Sequence, residues 1–397
     1  MNFKSYNLSF RKFSILLSIA CGLIVANLYY SQPLTRNIGY LLGISPFYSS
    51  FIPAFVQLGY AFSLLFILPI TGSINNKLLI LLLCAINFTS LFLFNNASSW
   101  GLLLILSFFI GLSGCLIQLI LSYIKNNFPA SYKRKAIGNI LTGIIIAILF
   151  ARPLASFSAQ IYSWRLIYCV SAIAIFIIFL LLSYLLPNNI SRQKNSYKDL
   201  APSLKNSLLN KKFIHISLYH SLIFACYNLF WIIIPLHLLS PIIGLNQEGV
   251  TLFYLAAIFG ISVTPFITQY LDKKCYYILS GLATFLIILS FLLAHIAPVS
   301  SVFSLILLII AAIIIDIGLV TNFIIGQKIF ASFDKDTYEI LNKYYLAIFF
   351  IGGALGTIIG GFSYNLGGLP LATQIGALLS FMIFLYYLTQ KKLYKDM

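Results

Sequence analysis

Twelve stretches of about 20 apolar residues constrain this chain more than any other feature. They fall at roughly 13–34, 49–70, 77–94, 101–124, 137–160, 164–186, 213–238, 249–270, 276–297, 301–325, 343–366 and 369–389. Each is long enough to cross the hydrocarbon core of a bilayer as a helix. The runs are apolar on every face, whereas the strands of a membrane barrel alternate apolar and polar residues. A soluble fold is excluded by the same composition. The chain is 60% hydrophobic and 8% charged, against roughly 25% charged in an average soluble domain. A folded domain of this size still exposes about a quarter of its chain's surface. The expected fold class is therefore an all-α membrane protein with twelve transmembrane helices. Only Ile161-Tyr162-Ser163 separates spans 5 and 6, and only Gly367-Gly368 separates spans 11 and 12.

The formal charge of +17 would suggest nucleic acid in a soluble protein. Here it reads as topology. Of 25 Lys and Arg residues, 22 fall before span 1, in the even-to-odd connections or in the tail. The opposite side holds only Arg36 and Arg165, and Arg152 lies inside span 5. Lysine and arginine collect on the cytoplasmic side of membrane proteins, so both termini are expected in the cytoplasm. The six cysteines have no metal-site spacing and none falls in an outer loop, so no disulfide is expected. The first run follows Lys4, Arg11 and Lys12 without a small-residue cleavage pattern, and reads as a retained span.

The longest connection, 187–212, is polar and basic and contains Pro187 and Pro202. It divides the chain into residues 1–186 and 213–397, six spans each, joined by a cytoplasmic linker. A weak repeat supports two related halves. Pro69 to Lys77 leaves span 2 as Pro265 to Lys273 leaves span 8, and Asn139 and Asn342 both open the fifth span of their half.

Several strings sharpen this pattern: Ala26-Asn-Leu-Tyr-Tyr-Ser-Gln-Pro-Leu34, Ile137-Gly-Asn-Ile-Leu-Thr-Gly143, Ala151-Arg-Pro153, Ser163-Trp-Arg165, Asp316-Ile-Gly318 and Phe350-Ile-Gly-Gly-Ala-Leu-Gly356. With six plus six spans and a basic central loop, they resemble the major facilitator superfamily, in its branch of bacterial inner-membrane drug and metabolite exporters. Three places depart from the superfamily's common motifs. The 2–3 loop is Ser73-Ile-Asn-Asn-Lys77, without the acid and arginines usual there. Ser107 stands where many drug exporters carry an arginine in span 4. Arg152-Pro153, with Ser156, replaces the Gly-Pro of the exporter motif. The resemblance implies two pseudo-symmetric six-helix bundles, with spans 1, 4, 7 and 10 lining a central cavity.

Charge inside a bilayer costs about 2.5–3.5 kcal/mol on insertion scales, which makes Arg152 and Asp316 informative. Arg152 would grip a carboxylate or phosphate through its planar fork, and the adjoining Pro153 would leave carbonyls free near it. Asp316, the one acid within a span, suits a group that takes and releases a proton. Counting helical rise places Arg152 about 22 Å from the cytoplasmic face and Asp316 roughly 14 Å below it. On span 7, His220, Phe224, Tyr227, Asn228 and Trp231 share one helical face. Asn27 and Tyr30 on span 1 and Gln118 on span 4 extend the set, with Gln57 on span 2 a weaker member. The expected solute-binding residues are thus Asn27, Tyr30, Gln118, Arg152, Tyr227, Asn228 and Trp231. Asp316 and His220 are expected to couple transport to a proton gradient. Aromatic faces with amide handles suit amphipathic organic solutes.

Gly352, Gly356 and Gly360 recur every four residues on span 11, and Gly143, Ala147 and Ala151 on span 5. Such stripes let helices approach closely, and are expected where two bundles rock against each other. Tyr29, Tyr30, Trp100 and Trp164 are read as interfacial anchors.

No phosphate-binding GxxxxGKS occurs, and the four histidines form no metal cluster, so no ATPase activity, metal or cofactor is expected. A membrane enzyme would need acid and base groups gathered at one depth, and a receptor would want a soluble output domain. The expectation is a monomeric secondary transporter in the bacterial inner membrane. It would move a small organic solute by alternating access, as a proton-coupled exporter (an antiporter). Uptake of a metabolite, or export of an acidic one such as a carboxylate siderophore, is the alternative. Its partners would be the solute, an ion gradient and the lipid bilayer, and not nucleic acid.

Overall fold

The computed structural model describes residues 10–69, 75–186, 211–262, 275–297, 301–330 and 335–389. Most of the linker, the second copy of the Pro-to-Lys repeat, and the lysines of the tail lie outside these residues. The described chain is helical throughout, and its helices follow the apolar runs. Span 1 is Phe10–Tyr29 continued by Ser31–Leu42, and spans 2 and 3 are Pro46–Ile67 and Asn76–Asn96. Span 4 is Trp100–Asn127, span 5 Ala130–Ile161 and span 6 Arg165–Leu185. Spans 7 to 10 are Lys211–Leu238, Gln247–Ser262, Tyr276–His295 and Val302–Phe330. Lys335–Thr389 carries spans 11 and 12. Ten of these helices are each long and apolar enough to cross a membrane. Twelve spans are recovered because Lys335–Thr389 holds two and Gln247–Ser262 is the described part of span 8.

The break between spans 11 and 12 has a local cause. Gly368 adopts φ 61°, a region that costs an L side chain steric energy, and the chain reverses there. Span 1 runs past its apolar stretch because Ser31–Leu42 stays helical until Gly43, whose left-handed φ of 64° caps it.

One cluster of buried apolar side chains draws on spans 1 to 6, and another on spans 7 to 12. Ala347 of span 11 belongs to the first cluster, and Leu65 of span 2 packs against the second. The two sets of six meet along spans 2 and 11, along spans 5 and 8, and where Ser31–Leu42 crosses span 7. Span 7 is buried on nearly every face, its polar residues included.

Small residues set the closest approaches. A Cβ on Gly111 would lie 1.8 Å from the Val56 carbonyl oxygen, so spans 2 and 4 touch backbone to backbone. The stripe on span 11 works differently from expectation. Cβ atoms on Gly352, Gly356 and Gly360 would meet Ser221, Ala225 and Ile232 of span 7, within the same set of six. The neighbouring Gly353 and Gly361 are the ones that face span 2, at Gln57 and Ser50. The i, i+4 repeat found a packing face, but the contact between the two sets lies one residue further round the helix. On span 5, Gly143 packs against Ser18 of span 1.

Candidate functional site

Arg152 and Asp316 are 4% and 2% exposed, and both are held by aromatic and amide side chains at the seam between the two sets of spans. The guanidinium is used on two edges. Nε donates to Gln32 Oε1 at 2.9 Å, and Nη1 donates to the Tyr227 hydroxyl at 3.2 Å. Its face lies over Trp231 at 4.7 Å, with Tyr29 at 5.2 Å and Tyr227 at 5.5 Å from the ring centres. Three aromatic rings with their negative faces toward one cation offset part of the cost of burying it.

The bonds continue across the seam. Gln32 Nε2 donates to Asn228 Oδ1 at 2.9 Å, and Gln57 Nε2 donates to the same oxygen at 2.8 Å. Gln57 also reaches Thr357 Oγ1 at 3.5 Å. The Asn228 amide nitrogen is turned away, donating to the Phe224 carbonyl one helical turn earlier. On the other side of Arg152, Trp231 Nε1 donates to Asp316 Oδ1 at 3.2 Å and its ring stacks on Tyr254 at 5.2 Å. Trp231 thus touches cation and carboxylate at once, and Tyr227 lies within electrostatic reach of both.

Three polar atoms in this cluster are buried with no hydrogen-bond partner: Arg152 Nη2, Gln57 Oε1 and the Tyr254 hydroxyl. Such groups cost about 1–3 kcal/mol each when nothing answers them. The space beside them is small. A cavity of about 10 Å³ lies against Arg152, Pro153, Trp231, Tyr254 and Asp316, room for about one water. The halves are closed on the site.

The closure extends to the end of the bundle away from the lysine-rich loops. Ser156 donates to Gln247 Oε1 at 2.6 Å and sits 2.9 Å from its backbone oxygen, and Gln247 Nε2 donates to Asn37. Arg36 Nη1 donates to the Leu236 carbonyl at 3.1 Å. Every one of these bonds joins spans 1 to 6 to spans 7 to 12.

A family model described as Major Facilitator Superfamily matches residues 13–335. The chain belongs to the major facilitator superfamily. Its members are transporters and not enzymes, so this facilitator is a multi-pass membrane protein that moves a small solute. It is 25% identical over 355 residues to a protein called uncharacterized transporter YgaY of Escherichia coli O157:H7, with 89% of each chain covered. It is 27% identical over 269 residues to the purine ribonucleoside efflux pump NepI of Shigella dysenteriae, covering 65% of each. The fold is that of the nucleoside transporter NupG, with a TM-score of 0.72, 15% identity, and 98% of this chain and 100% of that one covered. A bacterial homologue of the lysosomal transporter Spinster, in an inward-facing and occupied conformation, gives a TM-score of 0.70 at 14% identity, with 97% and 96% covered.

Of the residues expected at a site, the facilitator brings together Arg152, Tyr227, Asn228, Trp231 and Asp316. The separation of roughly 14 Å between Arg152 and Asp316 from helical rise is corrected, since both line one small cavity. That count took the ends of the apolar runs as the membrane faces, which the helices do not mark: span 5 starts at Ala130, before its run, and span 10 ends at Phe330, beyond it. Spans also tilt in the bilayer, and a long arginine stem displaces its charge from its own Cα.

The other four lie elsewhere. Asn27 Nδ2 donates to Asn87 at 3.1 Å, while its oxygen accepts from Ser171 at 2.6 Å, inside the first six spans. Tyr30 is buried edge-on against Tyr168 there. Gln118 is half-buried beside the Tyr60 hydroxyl. His220 Nδ1 lies 3.2 Å from the Tyr345 hydroxyl, packed against Gly326. It is eleven residues from Trp231 on the same helix, about 16 Å by helical rise.

Gln32, Tyr29 and Tyr254 join the cluster without having been singled out as ligands, and Gln57 holds a larger place than expected. Tyr29 and Gln32 are three residues apart, on one helical face that Asn27 does not share. That spacing was the available signal. Of the expected interfacial anchors, Tyr29 lies against Arg152, and Trp164 is 6% exposed beneath the Arg165 guanidinium. Tyr29 and Trp100 are both half-buried, and Trp100 Nε1 donates to the Tyr48 carbonyl.

Proposed function

We propose that this facilitator is a proton-coupled exporter of a small organic solute in the inner membrane, with both termini in the cytoplasm. Its solute site is the cluster around Arg152. The carrying observation is that one buried hydrogen-bonded set, Arg152–Gln32–Asn228–Gln57, spans both halves and leaves Arg152 Nη2, Gln57 Oε1 and the Tyr254 hydroxyl unanswered. A solute oxygen or carboxylate would take the guanidinium, a planar group would lie on Trp231 or Tyr254, and the amides would read its polar edge. Entry of such a solute requires the halves to part, because the closed cavity holds about one water. Asp316, joined to Arg152 through Trp231, is the group that would carry the proton. The names of NepI and NupG make ribonucleosides the first solutes to try, beside small carboxylates.

A second reading rests on the shared contacts of Arg152 and Asp316. A carboxylate left charged competes with a solute anion for the same guanidinium. Solute and proton would then bind together, which is symport in the uptake direction.

The experiment is flux into and out of proteoliposomes under an imposed pH gradient, with purine ribonucleosides and carboxylates as solutes. Export predicts solute movement against proton entry, lost in Arg152→Ala. Movement with the proton establishes the second reading. Arg152→Ala or Arg152→Lys that transports at the native rate removes the site from both.

A further inference from the structure

The two basic residues of the lysine-poor side, Arg36 in the helix that continues span 1 and Arg165 at the start of span 6, are 129 positions apart in sequence. The fold brings both to one cavity of about 410 Å³ at that end of the bundle. Asn37, Trp164, Asn246 and Gln247 are also in its wall, and none of the described residues that line it is acidic. Glu248, the next residue after Gln247, is exposed and is not part of the wall.

Each arginine is held by one edge. Arg36 donates through Nη1 to the Leu236 carbonyl. Arg165 donates through Nε to Asn95 at 2.8 Å and through Nη2 to Ala97 at 3.2 Å, both backbone carbonyls, and lies over the Trp164 ring at 4.6 Å. Carbonyl dipoles fix both forks in place, with an aromatic face against Arg165 alone, yet they carry no countercharge. A guanidinium has five N–H donors, so both retain donors beyond these bonds.

Selection for topology acts against lysine and arginine on the outer side of a membrane protein. A pure staple to a carbonyl could be made by a neutral amide. Two arginines kept on the disfavoured side, converging on one concavity lined by amides and free of acids, call for an anionic partner.

We propose that this outer cavity is a binding site for an oxyanion, a phosphate or carboxylate gripped between Arg36 and Arg165, distinct from the central site at Arg152. The oxyanion comes either from a soluble solute at the mouth of the transport path or from the headgroup of an anionic phospholipid in the outer leaflet. The proposal rests on the two arginines and their cavity, and holds whichever direction the transporter works in.

The test is equilibrium binding of radiolabelled inorganic phosphate to the purified full-length protein, at constant ionic strength with chloride as the balancing anion. One saturable site per chain is expected. Arg36→Gln and Arg165→Gln should each weaken it about tenfold or more, as loss of a charged hydrogen-bonding group does. Arg165→Lys should retain most of the binding, and Arg152→Ala should leave it unchanged. Thermal melts of the variants report whether loss of the staples has unfolded the protein, and Arg36→Gln, on the other wall of the cavity, keeps the test decisive if Arg165→Gln does not fold. The same titration in nanodiscs separates the sources. Competition by phosphatidylglycerol but not phosphatidylcholine identifies a headgroup site, and indifference to both identifies a soluble oxyanion. Phosphate binding that is absent, that chloride matches, that survives both glutamine substitutions in folded protein, or that disappears with Arg152→Ala overturns the proposal.

Discussion

Asn228→Ala tests whether the amide cluster holds the two halves together. The Asn228 carbonyl oxygen accepts from Gln32 and from Gln57, both on the other half, at 2.9 and 2.8 Å. Alanine removes both bonds and strands two buried donors, while the bond to Phe224 within span 7 is lost in every conformation alike. An interhelical hydrogen bond in a membrane is worth about 0.6 kcal/mol on average, which sets a lower value of about 1.2 kcal/mol for two. Leaving buried donors unpaired raises this toward about 3 kcal/mol. The closed state should therefore lose about 1–3 kcal/mol relative to a state with the halves parted, a shift of about 5- to 150-fold. The assay is a spin-label distance distribution between Tyr40→Cys and Ile242→Cys, with the six native cysteines replaced. Tyr40 and Ile242 are 92% and 58% exposed, on opposite halves at the lysine-poor end. The distribution should move to longer distances in Asn228→Ala. An unchanged distribution in folded protein would refute the reasoning that these amides stabilise closure.

Four further outcomes follow from the same contacts. Asp316→Asn should abolish solute flux driven by a pH gradient while leaving solute counterflow in place, since the amide keeps an acceptor for Trp231 but carries no titrating proton. His220→Asn should leave that drive intact, because His220 contacts Tyr345 and not the Arg152 cluster; loss of pH-driven flux would restore it as a coupling residue. Asn27→Ala should lower thermal stability by about 1–2 kcal/mol through its buried partners Asn87 and Ser171, with the KM for solute unchanged. Gly356→Val should cost about 3 kcal/mol or more, because its Cβ would lie 1.9 Å from the Ala225 carbonyl oxygen; a native melting temperature would contradict that contact.

The spans were legible because hydrocarbon leaves the chain little choice. A helix satisfies its own backbone hydrogen bonds, and about 20 apolar residues are needed to cross. The breaks at Ile161-Tyr162-Ser163 and Gly367-Gly368 were legible for the same reason, as the only polar or flexible residues between adjoining runs. Arg152 and Asp316 stood out because buried charge is costly enough to need a purpose. Span 7 gave Tyr227, Asn228 and Trp231 because one helical face carries all three. The misplaced residues have a common cause. Polar groups inside a helical bundle serve either a cavity or a neighbouring helix, and residue type does not separate the two. Asn27 and Tyr30 looked like ligands and pack on spans 3 and 6, while Tyr29 and Gln32, on another face of the same helix, reach Arg152. The depth of Asp316 failed because rise along one helix says nothing of its tilt against another. The convergence of Arg36 and Arg165 depends on how spans 1 and 6 pack, which no local pattern records.

The account stands on the halves having to separate for solute to move. Asn37 and Gln247 face each other across them at the lysine-poor end. In a cysteine-free background, Asn37→Cys and Gln247→Cys joined by a short reducible cross-linker should stop solute flux in proteoliposomes, and reduction should restore it. Full flux through the cross-linked protein would mean that solute passes without the halves parting, and would contradict the account.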